Sequence, residues 1–482
     1  MYVNRIPEII ISLLTTVMLP GPGCTSTRGS VFNSAQTFAR STSQSASADI
    51  ASQLREAASL LQQNKLDEAE RLLRDVITAA PRNADAHNLL GIILDQRNSF
   101  TDAEREYRLA LRLNPQAISP LANLGVLLAR IGRAQEAIRI FESVLKKVPD
   151  HREATLNLGL QYAAVSNFSE AVPLLQRALV LGIDSYEVRY NLGLSLFNLK
   201  RTAEAKSAFE SAVSLSANAA EPYYYLGLIA WTSGQPEQAP DLWDRAVSLR
   251  EKFPEAHFML GEALRKYGRT RASIEFYKRA LDQDPTKFAY YARLGGVFIL
   301  LGQAEDAERV FRRALVRFPK LPEAYYFAGV AARARSDYAS ATTEFRKALA
   351  LEPRNVNVLA QLGFVLLESN RVAEAETFLQ RAVAISERHF YANYDLGRLL
   401  VRSRRYEQAL PVLQRAARLK PNNPGVHYQL FMTFSRLKRK EEAGRELITF
   451  KDLEEARKAA PREDAAIDDE EAQNPSTLSP SP

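Results

Sequence analysis

The chain has 482 residues, of which 46% are hydrophobic and 25% are charged, and its formal net charge is +7. This balance is typical of a folded protein and excludes collagen-like and disordered classes. Because the chain has only one cysteine, it is not a disulfide scaffold. The positive charge is small for this length, so composition does not favour nucleic acid as a partner.

The amino terminus has the pattern of a targeting segment over residues 1–24. Arg5 precedes an apolar run from Ile9 to Leu19, which is followed by helix-breaking Pro and Gly residues and then by Cys24. Such a short run cannot cross a hydrocarbon layer of about 30 Å as a helix. The segment resembles a bacterial lipoprotein signal, which implies lipidation of Cys24 and attachment to a membrane. A plain cleaved secretory signal and a misassigned start are the alternatives.

Two further segments lack an apolar period. Residues 25–49 are rich in Ser, Thr, Ala and Gln, and we interpret them as a flexible linker. Residues 458–482 begin as the end of a helix and continue as an acidic tail rich in Pro and Ser. The part after Lys458 has one Arg against six acidic residues, a net charge of −5, and is predicted to be disordered.

The rest of the chain has an internal repeat. Ten glycines follow one another at intervals of 34 residues, from Gly91 to Gly397. Twelve residues after each glycine stands an alanine, except for Ser273. In the unit that begins at Ala84, the residues His87, Leu90, Gly91 and Leu94 have the helical spacing i, i+3, i+4, i+7. A turn signal follows at Asn98, as at Gly132, Gly234, Gly268 and Gly302 in other units, and a second apolar stripe comes after it. The pattern predicts two helices in each repeat.

This unit resembles the tetratricopeptide repeat. With the glycines placed at repeat position 8, aromatic or aliphatic residues fall at position 24 and proline is frequent at position 32. The register covers residues 50–457 as about twelve repeats without an insertion. The predicted fold is therefore all-α, a superhelical solenoid of helix-turn-helix repeats. The resemblance implies a concave groove, lined by the first helix of each repeat, that binds proteins or extended peptide segments.

Candidate groove residues lie opposite the packed stripe of the first helices, at positions 2, 6, 9 and 13. Asn123, Asn157 and Asn191 occupy position 6 of three successive repeats. They resemble the asparagine ladder of O-linked N-acetylglucosamine transferases, which holds the backbone of an extended peptide. An amide side chain suits this task because it both donates and accepts hydrogen bonds.

Aromatic and basic residues complete the predicted groove. Tyr225 and Phe327 at position 6 and Trp231 at position 12 offer apolar area to a partner. Arg293, Arg398 and Arg402 make the second half of the wall basic. Acidic residues recur at position 2, where they favour helix N-termini: Glu153, Glu187, Glu221, Glu255 and Glu323.

Nothing in the sequence indicates catalysis, a cofactor, a metal or a small-molecule substrate. His87, His257 and His427 lie in a packing column of the repeat, and His151 and His389 lie in turns between repeats. They form no metal-ligand motif, and the glycines do not cluster into a phosphate-binding loop.

The sequence therefore predicts a non-enzymatic protein-interaction scaffold of the bacterial cell envelope, located outside the cytoplasm. One alternative is an accessory docking subunit for envelope polysaccharide, glycosyl-transfer or secretion machinery. A second alternative is a cytosolic regulatory adaptor, which requires that the amino terminus is not a signal.

Overall fold

A computed structural model describes residues 34–459, with side chains from 48 to 458. Within this range the chain forms twenty-four α-helices and a short 3₁₀ turn at Pro236–Gln238, and it has no strand. The chain divides into two compact units between Ile229 and Ala230, inside the eleventh helix. No helix of the described range is both long enough and apolar enough to cross a membrane.

The first unit is built from helix hairpins. Each odd-numbered helix pairs with the even-numbered helix that follows it, and α3, α5, α7 and α9 also contact one another in sequence, so they form a row. The helices of this unit are α1 Ser34–Gln62, α2 Leu66–Ala79, α3 Ala84–Gln96, α4 Phe100–Leu113, α5 Ile118–Arg130, α6 Ala134–Lys147, α7 Arg152–Ala164, α8 Phe168–Val180, α9 Tyr186–Asn198, α10 Thr202–Leu215 and the first part of α11 Ala220–Thr232.

The second unit repeats the same arrangement, with contacts along the row of α15, α17, α19, α21 and α23. Its helices after α11 are α12 Ala239–Leu249, α13 Pro254–Lys266, α14 Thr270–Gln283, α15 Phe288–Leu300, α16 Ala304–Arg317, α17 Pro322–Ala334, α18 Tyr338–Leu351, α19 Val356–Glu368, α20 Val372–Ile385, α21 Phe390–Arg402, α22 Tyr406–Leu419, α23 Pro424–Arg436 and α24 Lys440–Ala459. The predicted all-α fold of paired helices is confirmed. The exact number of repeats stays a prediction, because α11 spans the division between the units.

The small residues of the repeat lie where the two helices of a hairpin cross. A Cβ on Gly91 would lie 2.7 Å from the ring of Tyr107, and a Cβ on Gly125 would lie 2.7 Å from the ring of Phe141. The alanines twelve residues beyond, such as Ala103 and Ala137, are fully buried. Position 8 therefore has no room for a side chain, because the large residue at position 24 fills it.

The turn inside each hairpin contains one residue with a left-handed backbone. Glycine meets this requirement at Gly132 and Gly302, with φ of 78° and 71°. Gly234, Gly268 and Asn98 lie in the same conformation, so the turn signals of the sequence are confirmed. Asn64 and Asn370 occupy the same repeat position with the same conformation. Residue types that gave no turn signal also occur there: Ser166, Lys200, Ser336, Arg404 and Lys438.

The ends of the chain differ in part from the expectation. Helix α1 begins at Ser34, so the predicted linker of residues 25–49 is helical over 34–49. The reason is that no Pro or Gly interrupts the chain between Ser34 and the packed part of α1. The predicted signal segment with Cys24, the start of the linker and the tail beyond Ala459 lie outside the described residues.

Candidate functional site

Two neighbouring helices of the first unit present the same kind of surface. In α7 and α9, repeat positions 3, 7 and 8 are buried and positions 2, 6 and 9 are half-exposed. Because α7 and α9 contact each other, the half-exposed positions of both helices lie side by side. We call this surface the α7–α9 face and define it by Glu153, Asn157, Leu160, Glu187, Asn191 and Leu194.

The asparagines of the α7–α9 face are held in one conformation. Nδ2 of Asn157 donates a hydrogen bond to the carbonyl oxygen of Glu153 at 2.7 Å, and Nδ2 of Asn191 donates to that of Glu187 at 2.8 Å. Each amide keeps its oxygen and one N–H group for another partner. The structure thus brings two of the three predicted ladder residues into equivalent positions on adjacent helices.

Asn123 is placed differently from the other two. Only 8% of this residue is exposed, and its Nδ2 donates to Oδ1 of Asn88 on α3 at 3.0 Å. This side chain therefore joins α5 to α3, and less of it reaches a groove than at Asn157 or Asn191. The peptide-binding role of all three asparagines stays a prediction.

An apolar row accompanies the asparagines and was not among the residues predicted from the sequence. Ile92, Val126, Leu160 and Leu194 occupy position 9 of four successive repeats, and all four are half-buried. A signal for the row was present, because an aliphatic residue recurs at every 34th position. The row lies one helical turn from the position of the asparagines.

The carboxylates of the α7–α9 face have no Lys or Arg partner within the described residues. Burial raises the pKa of Glu187 above its usual value, and no cation offsets the effect. The nearby Arg189 pairs instead with Asp184 at 2.8 Å. Glu153 lies 3.5 Å from Nδ1 of His151, and that nitrogen accepts a hydrogen bond from the backbone N–H of Ala154.

Two of the predicted aromatic anchors pack against the preceding hairpin of their own unit. The ring of Tyr225 stacks on Phe209 with centroids 5.1 Å apart, and its edge contacts Phe197 at 5.4 Å. The ring of Phe327 stacks on Phe311 at 5.5 Å. Both anchors remain half-buried, so part of each ring serves packing.

Trp231 lies in an aromatic and basic cluster of the second unit. Its ring centroid is 5.6 Å from that of Trp243, and Nζ of Lys266 lies 4.3 Å from the centre of the Trp231 ring. The edge of Tyr267 completes the cluster at 6.5 Å. A cation above an indole face is a favourable contact, so Lys266 holds this ring in place.

The three predicted groove arginines are in the second unit, and each has a partner. Nε of Arg293 lies 2.9 Å from Oε1 of Glu262. Arg402 donates to Oδ1 of Asn370 at 2.9 Å and to the carbonyl oxygen of Leu367 at 3.3 Å. These arginines link neighbouring odd-numbered helices, and their availability to a ligand is reduced.

Arg398 belongs to a charge cluster of the second unit that contains a buried carboxylate. It bonds Asp395 at 3.0 Å and Glu368 at 2.9 Å. Asp395 is only 4% exposed, and burial raises its pKa to about 6 despite the neighbouring guanidinium. The cluster joins α19 to α21.

The histidines lie where the sequence analysis placed them. His87 and His257 are buried, and Nδ1 of His87 bonds Glu106 at 2.7 Å. His151 and His389 accept a backbone N–H at the start of α7 and α21. In the described part of the chain, no group of His, Cys, Asp and Glu residues is arranged to hold a metal ion.

Comparison with protein families gives two matches. Residues 54–118, 123–186 and 161–223 match the tetratricopeptide repeat family. Residues 244–473 match the family described as the cilia and flagella-associated protein 70 C-terminal domain. Neither description names an enzyme. No curated protein matches the chain in sequence.

Comparison with solved structures finds other helical repeat proteins. A crystal structure of MamA is 28% identical, covers 33% of this chain and 94% of its own, and has a TM-score of 0.31. Yeast Tom70 is 14% identical, and the match covers 82% of this chain and 97% of Tom70, with a TM-score of 0.37. YrrB is described as a TPR protein with an unusual peptide-binding site. It is 20% identical, and the match covers 37% of this chain and 92% of YrrB, with a TM-score of 0.33.

Proposed function

Since residues 54–118, 123–186 and 161–223 of this chain match the tetratricopeptide repeat family, we propose that it is a non-catalytic scaffold that binds extended segments of other proteins along the odd-numbered helices of its first unit. The observation that carries the proposal is the apolar row of Ile92, Val126, Leu160 and Leu194 beside the two equivalent amides of Asn157 and Asn191. Ile92 and Val126 pack in part against the core of the first unit. The exposed parts of the four side chains form an apolar row, and such surfaces mark interaction sites.

The fixed geometry of this surface favours binding. Asn157 and Asn191 are already oriented by bonds to their own helices, and the helices are braced by their neighbours. A preformed surface loses little conformational freedom when a segment binds, so more of the contact energy appears as affinity. Amides that both donate and accept can hold the backbone of an extended segment whatever its side chains.

Site-specific photo-crosslinking in the native host tests this function. A photoreactive amino acid at Leu160 or Leu194 should crosslink to a partner protein, and the matched control is the same amino acid at Val180. That residue lies at the end of α8, outside the row, and is 83% exposed. Equal crosslinking from Leu160 and Val180 would contradict the proposal.

The setting that we propose is the bacterial cell envelope, outside the cytoplasm, with a lipid on Cys24. The support for it is the signal-like pattern of residues 1–24. Metabolic labelling with palmitate should mark the chain and should not mark a Cys24→Ser variant. If unlabelled chain of full length is found in the cytosol, the alternative of a cytosolic regulatory adaptor takes its place.

Within the envelope, the partner itself distinguishes two roles. If crosslinks from Leu160 lead to a glycosyl-transfer, polysaccharide or secretion component, the chain is an accessory docking subunit of that machinery. Crosslinks to several unrelated segments would instead indicate a general scaffold. Both outcomes use the same surface, because the row and the amides set the shape of the bound segment rather than its identity.

A further inference from the structure

We infer that the α7–α9 face selects segments in which basic side chains alternate with apolar ones. The inference rests on the proposed function and specifies the partner chemistry of the same surface. It follows from three features of this face: carboxylates without a Lys or Arg counter-ion among the described residues, polar groups that mostly accept, and the adjoining apolar row.

The charge of the face comes from Glu153 and Glu187. Neither carboxylate has a Lys or Arg partner among the described residues. Glu153 lies 3.5 Å from Nδ1 of His151, but that nitrogen accepts the backbone N–H of Ala154 and so offers Glu153 no donor. Arg152 donates to the carbonyl oxygen of Gly182 at 3.4 Å, and Arg189 pairs with Asp184. Because Glu187 is half-buried, its charge is poorly screened by water and attracts a cation more strongly than a fully exposed carboxylate would.

The hydrogen-bonding groups of the face favour donors. Asn157 and Asn191 have each committed one N–H group to their own helix, and their amide oxygens have no partner within the described range. Together with the carboxylates of Glu153 and Glu187, these oxygens accept hydrogen bonds. Lys and Arg side chains carry donors alone, so they complement such a surface, whereas Asp and Glu do not.

The apolar row sets the spacing of the partner. Leu160 and Leu194 lie one helical turn from Asn157 and Asn191, so each repeat offers an acceptor group next to an apolar patch. Packed helices lie about 8–10 Å apart. An extended segment in the polyproline II conformation rises about 3.1 Å per residue with three residues per turn, so every third side chain returns to the same face after about 9 Å. Basic side chains about three residues apart therefore match the spacing of Glu153 and Glu187.

A residue of the second unit provides a matched control. Glu323 occupies the same repeat position on α17 and is exposed. The position that holds an asparagine on α7 and α9 holds Phe327 on α17, and that ring stacks on Phe311. Glu323 therefore has the charge of Glu153 and Glu187 without the neighbouring free amide.

Fluorescence anisotropy with synthetic peptides tests the inference on the full chain. The probe is a peptide that favours the polyproline II conformation, with leucines and with lysines about three residues apart. Two further probes replace each lysine by glutamine or by glutamate. The lysine probe should bind most tightly and the glutamate probe most weakly, and the preference should shrink at high salt. Two ion-pair contacts correspond to about a tenfold change in affinity. E153Q/E187Q should lose that factor for the lysine probe only, and E323Q should bind as the unchanged chain does.

Reversing the charge of Glu153 and Glu187 gives a test with a gain of binding as its expected result, so a merely damaged surface would not produce it. E153K/E187K should prefer the glutamate probe, with the helical circular dichroism spectrum unchanged. Equal affinity of the unchanged chain for the lysine and glutamate probes, or no effect of E153Q/E187Q, would overturn the inference. If no probe binds but Leu160 still crosslinks to a partner, the charge selection is wrong and the proposed function stands. If Leu160 also fails to crosslink, both are wrong.

Discussion

A Cβ placed on Gly261 would lie 2.6 Å from Cε1 of Tyr277. The ring cannot move away easily, because it is fully buried and its hydroxyl donates to Glu262 at 2.5 Å. Gly261 and Glu262 are both on α13, and Tyr277 is on α14. The Tyr277 side chain therefore contacts α13 through its ring at Gly261 and through its hydroxyl at Glu262. The absence of a side chain at this position lets the two helices approach each other closely.

Gly261→Ala is therefore expected to destabilise the second unit by about 1–3 kcal/mol, because the added methyl overpacks the helix crossing. Chemical denaturation and amide hydrogen exchange in α13 and α14 measure the effect. The control is Gly296→Ala on the neighbouring helix α15, where an added Cβ would have no atom within 4 Å. That variant should gain up to about 1 kcal/mol, because alanine has the higher helix propensity. Equal effects of the two substitutions would contradict the crossing argument.

Contacts inside a hairpin could be predicted from the sequence, and contacts between repeats could not. The glycine column and the large residues at position 24 belong to one crossing, so the register predicted the hairpins and the packing of His87 correctly. Contacts between repeats could not be predicted in this way. The hydrogen bond from Asn123 on α5 to Asn88 depends on the residue at that point of α3. The pattern within one repeat does not determine which residue of the preceding repeat lies next to it. For the same reason the pairing of Arg293 with Glu262 had no signal in the sequence.

The hairpin turns offer a stability prediction at a residue that the sequence analysis did not flag. Lys438 has a φ of 61° at the turn between α23 and α24, and an L-residue in this region costs about 1 kcal/mol relative to glycine. Lys438→Gly should therefore raise the free energy of unfolding, and the reverse experiment, Gly302→Ala at φ 71°, should lower it. Thermal unfolding measures both. A loss of stability in Lys438→Gly would show that its side chain has a further contact.

Two arginines at repeat position 13 let a buried charge be compared with a neutral partner. Arg130 bonds the carboxylate of Asp95 at 2.9 Å and Asn98 at 3.0 Å, while Arg402 bonds Asn370 and a backbone carbonyl. Asp95 is 5% exposed, so Arg130→Ala leaves an unpaired buried carboxylate and should cost about 3 kcal/mol. Arg402→Ala should cost about 1 kcal/mol, because it leaves only neutral acceptors near solvent. Denaturation of the two variants gives the comparison, and similar losses would contradict it.

Asp395 gives a prediction about pH. Its carboxyl has a pKa of about 6 in the folded chain against 3.8 for the free side chain, and burial is the main cause. The folded state therefore holds this proton more tightly than the unfolded state does. The contribution of Asp395 to the free energy of unfolding is complete below pH 3.8, and it declines as the pH rises towards about 6. Asp395→Asn removes the titration, and Arg398 keeps its bond to Glu368.

The difference in unfolding free energy between Asp395→Asn and the unchanged chain should grow in favour of the variant from pH 4 to pH 7. Chemical denaturation across this range measures it, and taking the difference removes the contribution of groups common to both proteins. Asp184→Asn serves as a control of opposite sign, because its hydrogen bond with Arg189 lowers the pKa of Asp184 from 3.8. That variant should lose stability relative to the unchanged chain as the pH rises to about 4, and its difference should then stay nearly constant up to about pH 7. If the difference for Asp395→Asn does not change with pH, burial does not raise the pKa of this carboxyl, and the cluster with Arg398 and Glu368 holds it ionised.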